Sequence, residues 1–256
     1  MRLLVDAGNT RLKWVLDSVA GTCVRGVVTH RGHAPGEVLD SLWQELPKPS
    51  SVYVACVAGD ALRQAIVQRV RSLWPEATLV FLISHSICCG VRVAYTEPAR
   101  FGVDRLAALV AAFAGARGRA VIVIDAGTAV TVDALDAEGL HLGGVIMPGK
   151  VLLGAVLRQG TADLDVACRE DGARGVAERV LQVTTQAALR AGVHVMWLGG
   201  IERALREVRA NMLRDARIVL TGGDSGEVAT ALGGGVEVRP DLVLEGMALM
   251  ASEVTG

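Results

Sequence analysis

One short motif occurs twice in this 256-residue chain, near its start and near its middle. The copies read Leu-Leu-Val-Asp6-Ala-Gly8-Asn9-Thr10 and Ile-Val-Ile-Asp125-Ala-Gly127-Thr128. Each is an aliphatic run that ends in Asp, followed by Ala-Gly and a hydroxyl or amide residue, which predicts a buried strand and a tight turn. Such an internal repeat predicts two duplicated lobes. We place the boundary near Gly115–Gly118, between residues 1–117 and 118–256.

Short aliphatic runs alternate with longer amphipathic runs in both halves. The aliphatic runs predict strands at Arg2–Val5, Leu12–Leu16, Cys23–Thr29, Ser51–Val57, Thr78–Ile83, Ala120–Ile124, Ala129–Leu135 and Arg217–Leu220. The amphipathic runs predict helices at Glu37–Leu46, Ala61–Trp74, Asp104–Ala116, Thr185–Arg190, Ile201–Leu213, Gly226–Leu232 and Leu244–Val254. Aromatic residues make up only 4% of the chain, so the core must be aliphatic, which suits an α/β fold with mixed sheets.

The two repeated turns have the chemistry that a phosphate group requires. Glycine lets backbone N–H groups approach an anion closely, and Asn9, Thr10 and Thr128 add side-chain donors. Lys13 lies on the strand after the first turn, within reach of a phosphate. The Asp that ends each strand is placed to hold a hard cation, often through water. A plain tight turn explains either copy alone, whereas the pair favours a nucleotide clamp.

A third glycine turn, Thr221-Gly222-Gly223-Asp224, lies between a predicted strand and a predicted helix. Gly222 and Gly223 allow a flat base or a ribose to lie against the backbone. The same turn could simply lead into the helix. Because the two repeated turns are predicted to bind the phosphates, we predict that this third turn contacts the adenosine.

Five short motifs occur in a fixed order along the chain. They are Asp6-x-Gly-Asn-Thr-x-x-Lys13, Gly102-Val-Asp104-Arg105, Asp125-x-Gly-Thr128, Gly143-Gly-x-Ile-x-Pro-Gly149 and Thr221-Gly-Gly223. In this order the chain resembles type III pantothenate kinases, the family that includes the bacterial Bvg accessory factor proteins. The resemblance implies a two-lobed actin/hexokinase-like (ASKHA, ribonuclease H-like) fold. It also implies ATP-dependent phosphorylation of pantothenate to 4′-phosphopantothenate, the first step of coenzyme A biosynthesis.

The resemblance also implies the roles of individual residues. Pantothenate would contact Tyr95 and the segment Gly102, Val103, Asp104 and Arg105, with Asp104 as the proton acceptor. Asp125 would hold a monovalent cation, K⁺ or NH₄⁺, and Mg²⁺ would be bound near Asp6 through water. The residues implied to contact ATP are Asp6, Ala7, Gly8, Asn9, Thr10, Arg11, Leu12, Lys13 and Thr128.

The chemistry of the acceptor segment agrees with these roles independently. Asp104 begins a predicted helix, where the helix N-terminus favours the ionised carboxylate. The planar fork of Arg105 suits the carboxylate of pantothenate. The alternative interpretation of Asp104 is a plain helix N-cap.

A homodimer with a shared active site is the remaining implication of the resemblance. Thr185 would contact pantothenate from the partner subunit, although the adjacent Thr184 could take that role. Gly143–Gly149 resembles the interface motif of the family. It could equally be an internal strand with a Pro turn.

Composition argues against several other classes. With 26 basic and 27 acidic residues, the chain predicts no nucleic-acid or membrane partner. Five cysteines without a Cys-x-x-Cys favour neither disulfides nor a zinc site, and Cys88 and Cys89 are interpreted as buried small hydrophobes. His30 and His33 are expected to be loop histidines, Asp163–Arg174 a loop, and the protein cytoplasmic. The alternatives are another phosphotransferase of the same superfamily and a non-enzymatic regulatory accessory factor.

Overall fold

The computed structural model describes residues 1–17, 24–40, 42–160, 180–211 and 215–255. The chain forms two compact units. The first consists of Met1–Gly118, Leu135–Gly143 and Asp241–Gly256, and the second of Arg119–Ala134 and Gly144–Pro240. The assignment of the predicted sites to residues 1–117 and 118–256 stays a prediction.

A five-stranded mixed sheet carries the first copy of the repeated motif. Its strands are β1 (Arg2–Ala7), β2 (Arg11–Asp17), β3 (Val24–Thr29), β4 (Ser51–Cys56) and β5 (Thr78–Phe81). The strand order is β3-β2-β1-β4-β5, with β1–β2 and β2–β3 antiparallel and β1–β4 and β4–β5 parallel. The central strand β1 therefore ends in the Asp6 turn.

A second five-stranded sheet repeats this arrangement. Its strands are β8 (Val121–Ala126), β9 (Ala129–Leu135), β10 (His141–Pro148), β11 (Arg217–Thr221) and β12 (Val236–Val238). The order β10-β9-β8-β11-β12 again places the Asp-bearing strand in the centre, with parallel neighbours on the β11 side. The duplicated α/β architecture predicted from the repeated motif is confirmed.

Seven α-helices and a small hairpin complete the described part of the chain. The hairpin strands are β6 (Ile87–Cys88) and β7 (Val91–Arg92), and a 3₁₀ helix covers Pro98–Arg100. The helices are α1 (Pro35–Asp40), α2 (Asp60–Leu73), α3 (Val103–Ala114), α4 (Lys150–Gly160), α5 (Thr185–Asn211), α6 (Ser225–Leu232) and α7 (Leu242–Thr255). Among the residues that the structure describes, no helix is both long and apolar enough to span a membrane.

Helix α3 lies at the centre of the first unit and is apolar on nearly every side, as expected for a fully buried helix. Helix α7 crosses it very closely. A Cβ atom added at Gly246 of α7 would lie 1.7 Å from the carbonyl oxygen of Ala107 in α3. The contact between the two helices therefore depends on a glycine.

Three predicted helices differ from the structure. Helix α1 ends at Asp40 rather than Leu46 because Trp43 adopts a left-handed backbone (φ 69°) and stacks on Trp74 at 6.0 Å. The helices predicted at Thr185–Arg190 and Ile201–Leu213 are one continuous helix, α5. Its buried side chains recur every four residues and outweigh the low helix propensity of the intervening glycines; they are Val193, Trp197, Ile201 and Leu205. Residues 163–174, Cys23 and the last two residues of the predicted helix Ile201–Leu213 lie outside the described part of the chain.

Candidate active site

The first repeated turn connects β1 to β2. Asp6 and Lys13 are partners in the antiparallel register, so both lie at the turn end of the hairpin. The N–H of Gly8 donates to the carbonyl of Arg11 at 3.1 Å, which closes the turn. The predicted carboxylate, glycine and lysine are therefore brought together in the first unit.

His30 holds this turn from the side. Its Nε2 lies 2.7 Å from the carbonyl oxygen of Gly8, and its backbone N–H donates to the carbonyl of Thr10 at 3.0 Å. Because a carbonyl oxygen only accepts, the ring must carry a proton on Nε2. His30 is buried, with 8% of its surface exposed, so the interpretation as a loop histidine missed its role. Only the fold places it beside residues 8–10.

The second repeated turn lies against the Thr221-Gly222-Gly223 turn. Gly222 has a φ of +91°, and a Cβ there would lie 2.4 Å from both the Asp125 Oδ1 and the carbonyl oxygen of Ala126. The N–H of Asp224 donates to the same carbonyl at 3.0 Å. Only glycine allows this approach, so the structure joins the two predicted nucleotide elements of the second unit.

Gly149, the last residue of the Gly143–Gly149 motif, also packs on the second turn. Its N–H donates to the carbonyl oxygen of Thr128 at 3.0 Å, and a Cβ would lie 2.3 Å from the carbonyl oxygen of Gly127. The sequence linked this segment either to an interface or to an internal strand with a Pro turn, and the structure forms the strand, β10. The structure makes Gly149 a support of the Asp125–Thr128 turn as well.

A polar cluster beside these turns was not predicted. Lys150, at the start of α4, forms an ion pair with Glu227 and lies 3.9 Å from an oxygen of Asp224. Its ammonium also lies 4.7 Å from the centre of the Trp197 ring, within cation–π distance. These contacts connect α4, α5 and α6 around residues 222–224, and no sequence motif signals them.

The acceptor segment begins α3 of the first unit. Gly102 occupies the N-cap position without a side-chain cap, so the N-cap interpretation of Asp104 is wrong. Asp104 lies in the first helical turn, where its Oδ1 accepts the backbone N–H of Arg105 at 2.8 Å. A Cβ at Gly102 would lie 2.6 Å from that Oδ1. Gly102 therefore leaves the space in which the carboxylate lies.

Arg105 is held by aromatic neighbours. Its Nη1 donates to the Tyr95 hydroxyl at 3.2 Å, and its guanidinium carbon lies 4.4 Å from the centre of the Phe101 ring. His141 is buried and lies against both rings, with ring centres 6.1 Å from Tyr95 and 5.0 Å from Phe101. The predicted pair Tyr95 and Arg105 is therefore in contact, whereas Phe101 and His141 were not predicted as part of the site.

The two threonines at the start of α5, Thr184 and Thr185, have different positions. The Thr184 hydroxyl accepts the backbone N–H of Ala187 at 3.3 Å and so caps the helix. Thr185 is the first residue of α5, and its side chain is exposed. Both side chains are exposed, and the contact of Thr185 with pantothenate stays a prediction.

A family model and curated relatives both match this chain, and both point to the same family. Residues 2–207 match the family model for type III pantothenate kinase. A type III pantothenate kinase from Nitrosococcus oceani is 34% identical over 259 residues, which cover 100% of this chain and 95% of the relative. The chain belongs to the type III pantothenate kinase family. The prediction of this family from the order of the five motifs is therefore confirmed.

Solved structures show the same fold at lower identity. A Baf-family protein from Campylobacter jejuni covers 99% of this chain and 98% of its own, with a TM-score of 0.59 and 19% identity. A protein of Sinorhizobium meliloti assigned as a 2-dehydro-3-deoxygalactonokinase covers 99% of both chains, with a TM-score of 0.63 and 15% identity. The fold of this pantothenate kinase family member is the two-lobed actin/hexokinase-like fold.

Proposed function

We propose that the chain transfers the γ-phosphoryl group of ATP to the primary hydroxyl of pantothenate, with Asp104 as the catalytic residue of the acceptor site. The product is 4′-phosphopantothenate, which begins coenzyme A biosynthesis. The observation that carries this proposal is the start of α3, where the Asp104 carboxylate accepts the backbone N–H of Arg105 and the Arg105 guanidinium is bound to the Tyr95 hydroxyl. A kinase for an acidic, hydroxylated substrate needs both groups.

The two acceptor residues have different roles: Asp104 accepts a proton and Arg105 binds the substrate carboxylate. The N-terminal end of α3 favours a negative charge on Asp104, which would accept the proton of the attacking hydroxyl as the new O–P bond forms and the bond between the γ-phosphorus and the bridging oxygen of ADP breaks. Arg105, stacked on Phe101, attracts the substrate carboxylate with a planar set of donors. Because phosphoryl transfer depends chiefly on positioning and charge, orienting the hydroxyl is as important as deprotonating it.

The first turn provides the groups for the ATP phosphates. Groups of the segment 6–13, among them the Lys13 ammonium, would contact the phosphates, and His30 holds the Gly8 carbonyl in place. Asp6 offers a carboxylate at the same end of the strand, which fits a hydrated Mg²⁺. When bound, Mg²⁺ neutralises the charge of the phosphates.

The second turn would hold the monovalent cation. The absence of a Cβ at Gly222 lets its backbone approach the Asp125 Oδ1, from which a Cβ would lie only 2.4 Å away. Carboxylate and carbonyl oxygens are ligands for K⁺. The carboxylate of Asp125 and the carbonyl oxygen of Ala126, both next to Gly222, support Asp125 as the K⁺ or NH₄⁺ ligand, with Thr128 contacting ATP and the Gly222 and Gly223 turn contacting the adenosine.

The reaction is tested by measuring ADP release from ATP and Mg²⁺ with pantothenate, with and without K⁺. We expect pantothenate-dependent turnover that K⁺ increases, and none with sugars or acetate. Asp125→Ala should lose the response to K⁺ while keeping a cooperative thermal transition.

If no ADP is released above background when pantothenate is present, with each of several monovalent cations, the proposed activity is refuted. An Asp125→Ala variant that responds to K⁺ as the wild type does would refute the cation site and leave the activity intact.

A two-fold homodimer is part of the proposal. Strand β10 is the edge of its sheet, and its Val145 and Ile146 are exposed. Helices α4 and α5 of the same unit expose Val156 and Met196. Such apolar surface favours a subunit contact, which would let Thr185 reach pantothenate in the partner's site.

Subunit mixing tests the shared site. Asp104→Asn and Thr185→Ala chains, each impaired alone, are combined under conditions that exchange subunits. Random pairing makes half of the dimers mixed, and each mixed dimer contains one intact site. Activity should therefore rise to about a quarter of the wild-type value in a closed two-fold dimer.

A mixture of Asp104→Asn with Tyr95→Ala serves as the negative control, because both residues belong to the same chain's site. Confirmed exchange without recovery in the first mixture would contradict the shared site.

A further inference from the structure

A compact cluster of two thiols and a carboxylate lies outside the proposed active site. Cys88, Cys89 and Glu253 each offer one potential ligand atom, and these atoms lie within 4.8 Å of one another. The two Sγ atoms are 4.0 Å apart, and the Glu253 Oε2 lies 3.4 Å from the first and 3.3 Å from the second. The sequence, which lacks a Cys-x-x-Cys, had argued against a zinc site.

The hairpin between β6 and β7 presents the two thiols side by side. Cys88 pairs with Val91, so Cys89 and Gly90 form a two-residue turn, and both have positive φ, 48° and 83°. These angles match a type I′ turn, which usually has Asn or Gly at its first central position. A cysteine there is uncommon, and it places both sulfurs on the same side of the turn.

Glu253 reaches this hairpin from the last turn of α7. A helix C-terminus disfavours an anion, and α7 has no basic residue in its last turn. The backbone N–H of Cys89 donates to both carboxylate oxygens, at 3.1 and 3.0 Å. A cation beside this carboxylate would therefore be favoured by the helix as well as by the sulfurs.

The three atoms have the spacing of one face of a tetrahedral metal site. Zinc–sulfur bonds of about 2.3 Å and zinc–oxygen bonds of about 2.0 Å place tetrahedral ligands about 3.8 Å apart for two sulfurs and about 3.5 Å for sulfur and oxygen. The observed separations differ from these by about 0.2 Å or less. Hydrogen bonds alone require no such agreement among all three pairs.

We propose that Cys88, Cys89 and Glu253 bind one Zn²⁺ ion, with water in the fourth position. Without metal, burial and the neighbouring carboxylate raise the pKa of Cys89 to about 11, and they raise the pKa of Cys88 as well. Both sulfurs then carry protons that point at Glu253. As each metal–sulfur bond forms, the thiol releases its proton to solvent, and the ion joins the end of α7 to the β6–β7 hairpin.

Cobalt titration tests the site through its colour, independently of kinase activity. In a Cys23→Ser, Cys56→Ser, Cys168→Ser background under reducing conditions, the chelator-treated protein should bind one equivalent of Co²⁺. We expect thiolate-to-cobalt charge-transfer absorption that one equivalent of Zn²⁺ removes. At a hundredfold excess of Zn²⁺ over its Kd, Tm should rise by about 5–10 °C.

Cys88→Ala and Cys89→Ser should each abolish the absorption, and Glu253→Gln should weaken Co²⁺ binding about tenfold or more. The matched control is Glu245→Gln, which removes one negative charge from the first turn of the same helix and should leave the titration unchanged. Circular dichroism confirms that each variant is folded. Absence of the charge-transfer absorption in the background protein would overturn the proposal, as would equal absorption in the two cysteine variants.

Discussion

The Asp104→Asn variant should lose turnover by about 10²–10⁴-fold, the range typical of a general base. Asn keeps the size of the side chain and an oxygen that can accept the N–H of Arg105, so the start of α3 is expected to remain folded. What disappears is the negative charge that accepts the hydroxyl proton. ATP binding, measured by calorimetry, should be nearly unchanged because the nucleotide turns do not include Asp104.

The Glu245→Gln variant is the control for charge removal from the first turn of a helix in the same unit. It should retain wild-type turnover. If Asp104→Asn lost ATP affinity as strongly as turnover, Asp104 would have a structural role rather than a catalytic one.

The Gly246→Ala variant should have the largest effect on stability. A methyl group at this position would lie 1.7 Å from the carbonyl oxygen of Ala107, so α3 and α7 must separate to accommodate it. Overpacking of this kind typically costs about 1–3 kcal/mol, and a clash with backbone is expected at or above the upper end. The guanidinium chloride midpoint should fall, and turnover should fall with it because α3 carries Asp104.

Gly199→Ala provides a control of opposite sign. Gly199 also lies within a helix, α5, but a Cβ there meets nothing within 4 Å. Alanine should therefore stabilise this position by about 0.4–1 kcal/mol, through the lower entropy of the unfolded chain. Equal midpoints for the two variants would show that the α3–α7 contact tolerates a side chain.

The strand–turn repeats were predictable because both their signals are local. Buried parallel strands need unbroken aliphatic runs, and a turn at Gly8 or Gly127 needs glycine directly after the strand. The family motifs add the acceptor segment around Asp104 for the same reason, since its residues are consecutive. The five strands of the first sheet, the strands β8, β9 and β11 of the second, and the duplicated architecture followed from these patterns. Strand β12 was not predicted, and β10 was only one of two alternatives for its segment.

Contacts between distant segments could not be predicted in this way. His30 lies 22 positions from Gly8, and the Lys150–Glu227 pair spans 77 positions, so neither forms a pattern in the sequence. The approach of Gly222 to Asp125 likewise depends on the pairing of β11 with β8. The length of α5 was predicted wrongly for a related reason. Its continuity depends on the burial of Trp197 and Ile201, which the sequence does not show.

The first unit is assembled from stretches of chain that are far apart in sequence, and α7 belongs to its last stretch. During synthesis, α3 leaves the ribosome long before α7 does. At a translation rate of about 5–20 residues per second, the apolar surface of α3 stays unpaired for roughly 6–25 s before α7 is synthesised. The whole second unit is translated in that interval. Nascent chains paused before residue 241 should therefore bind chaperones through α3, and release from the chaperone should coincide with emergence of α7.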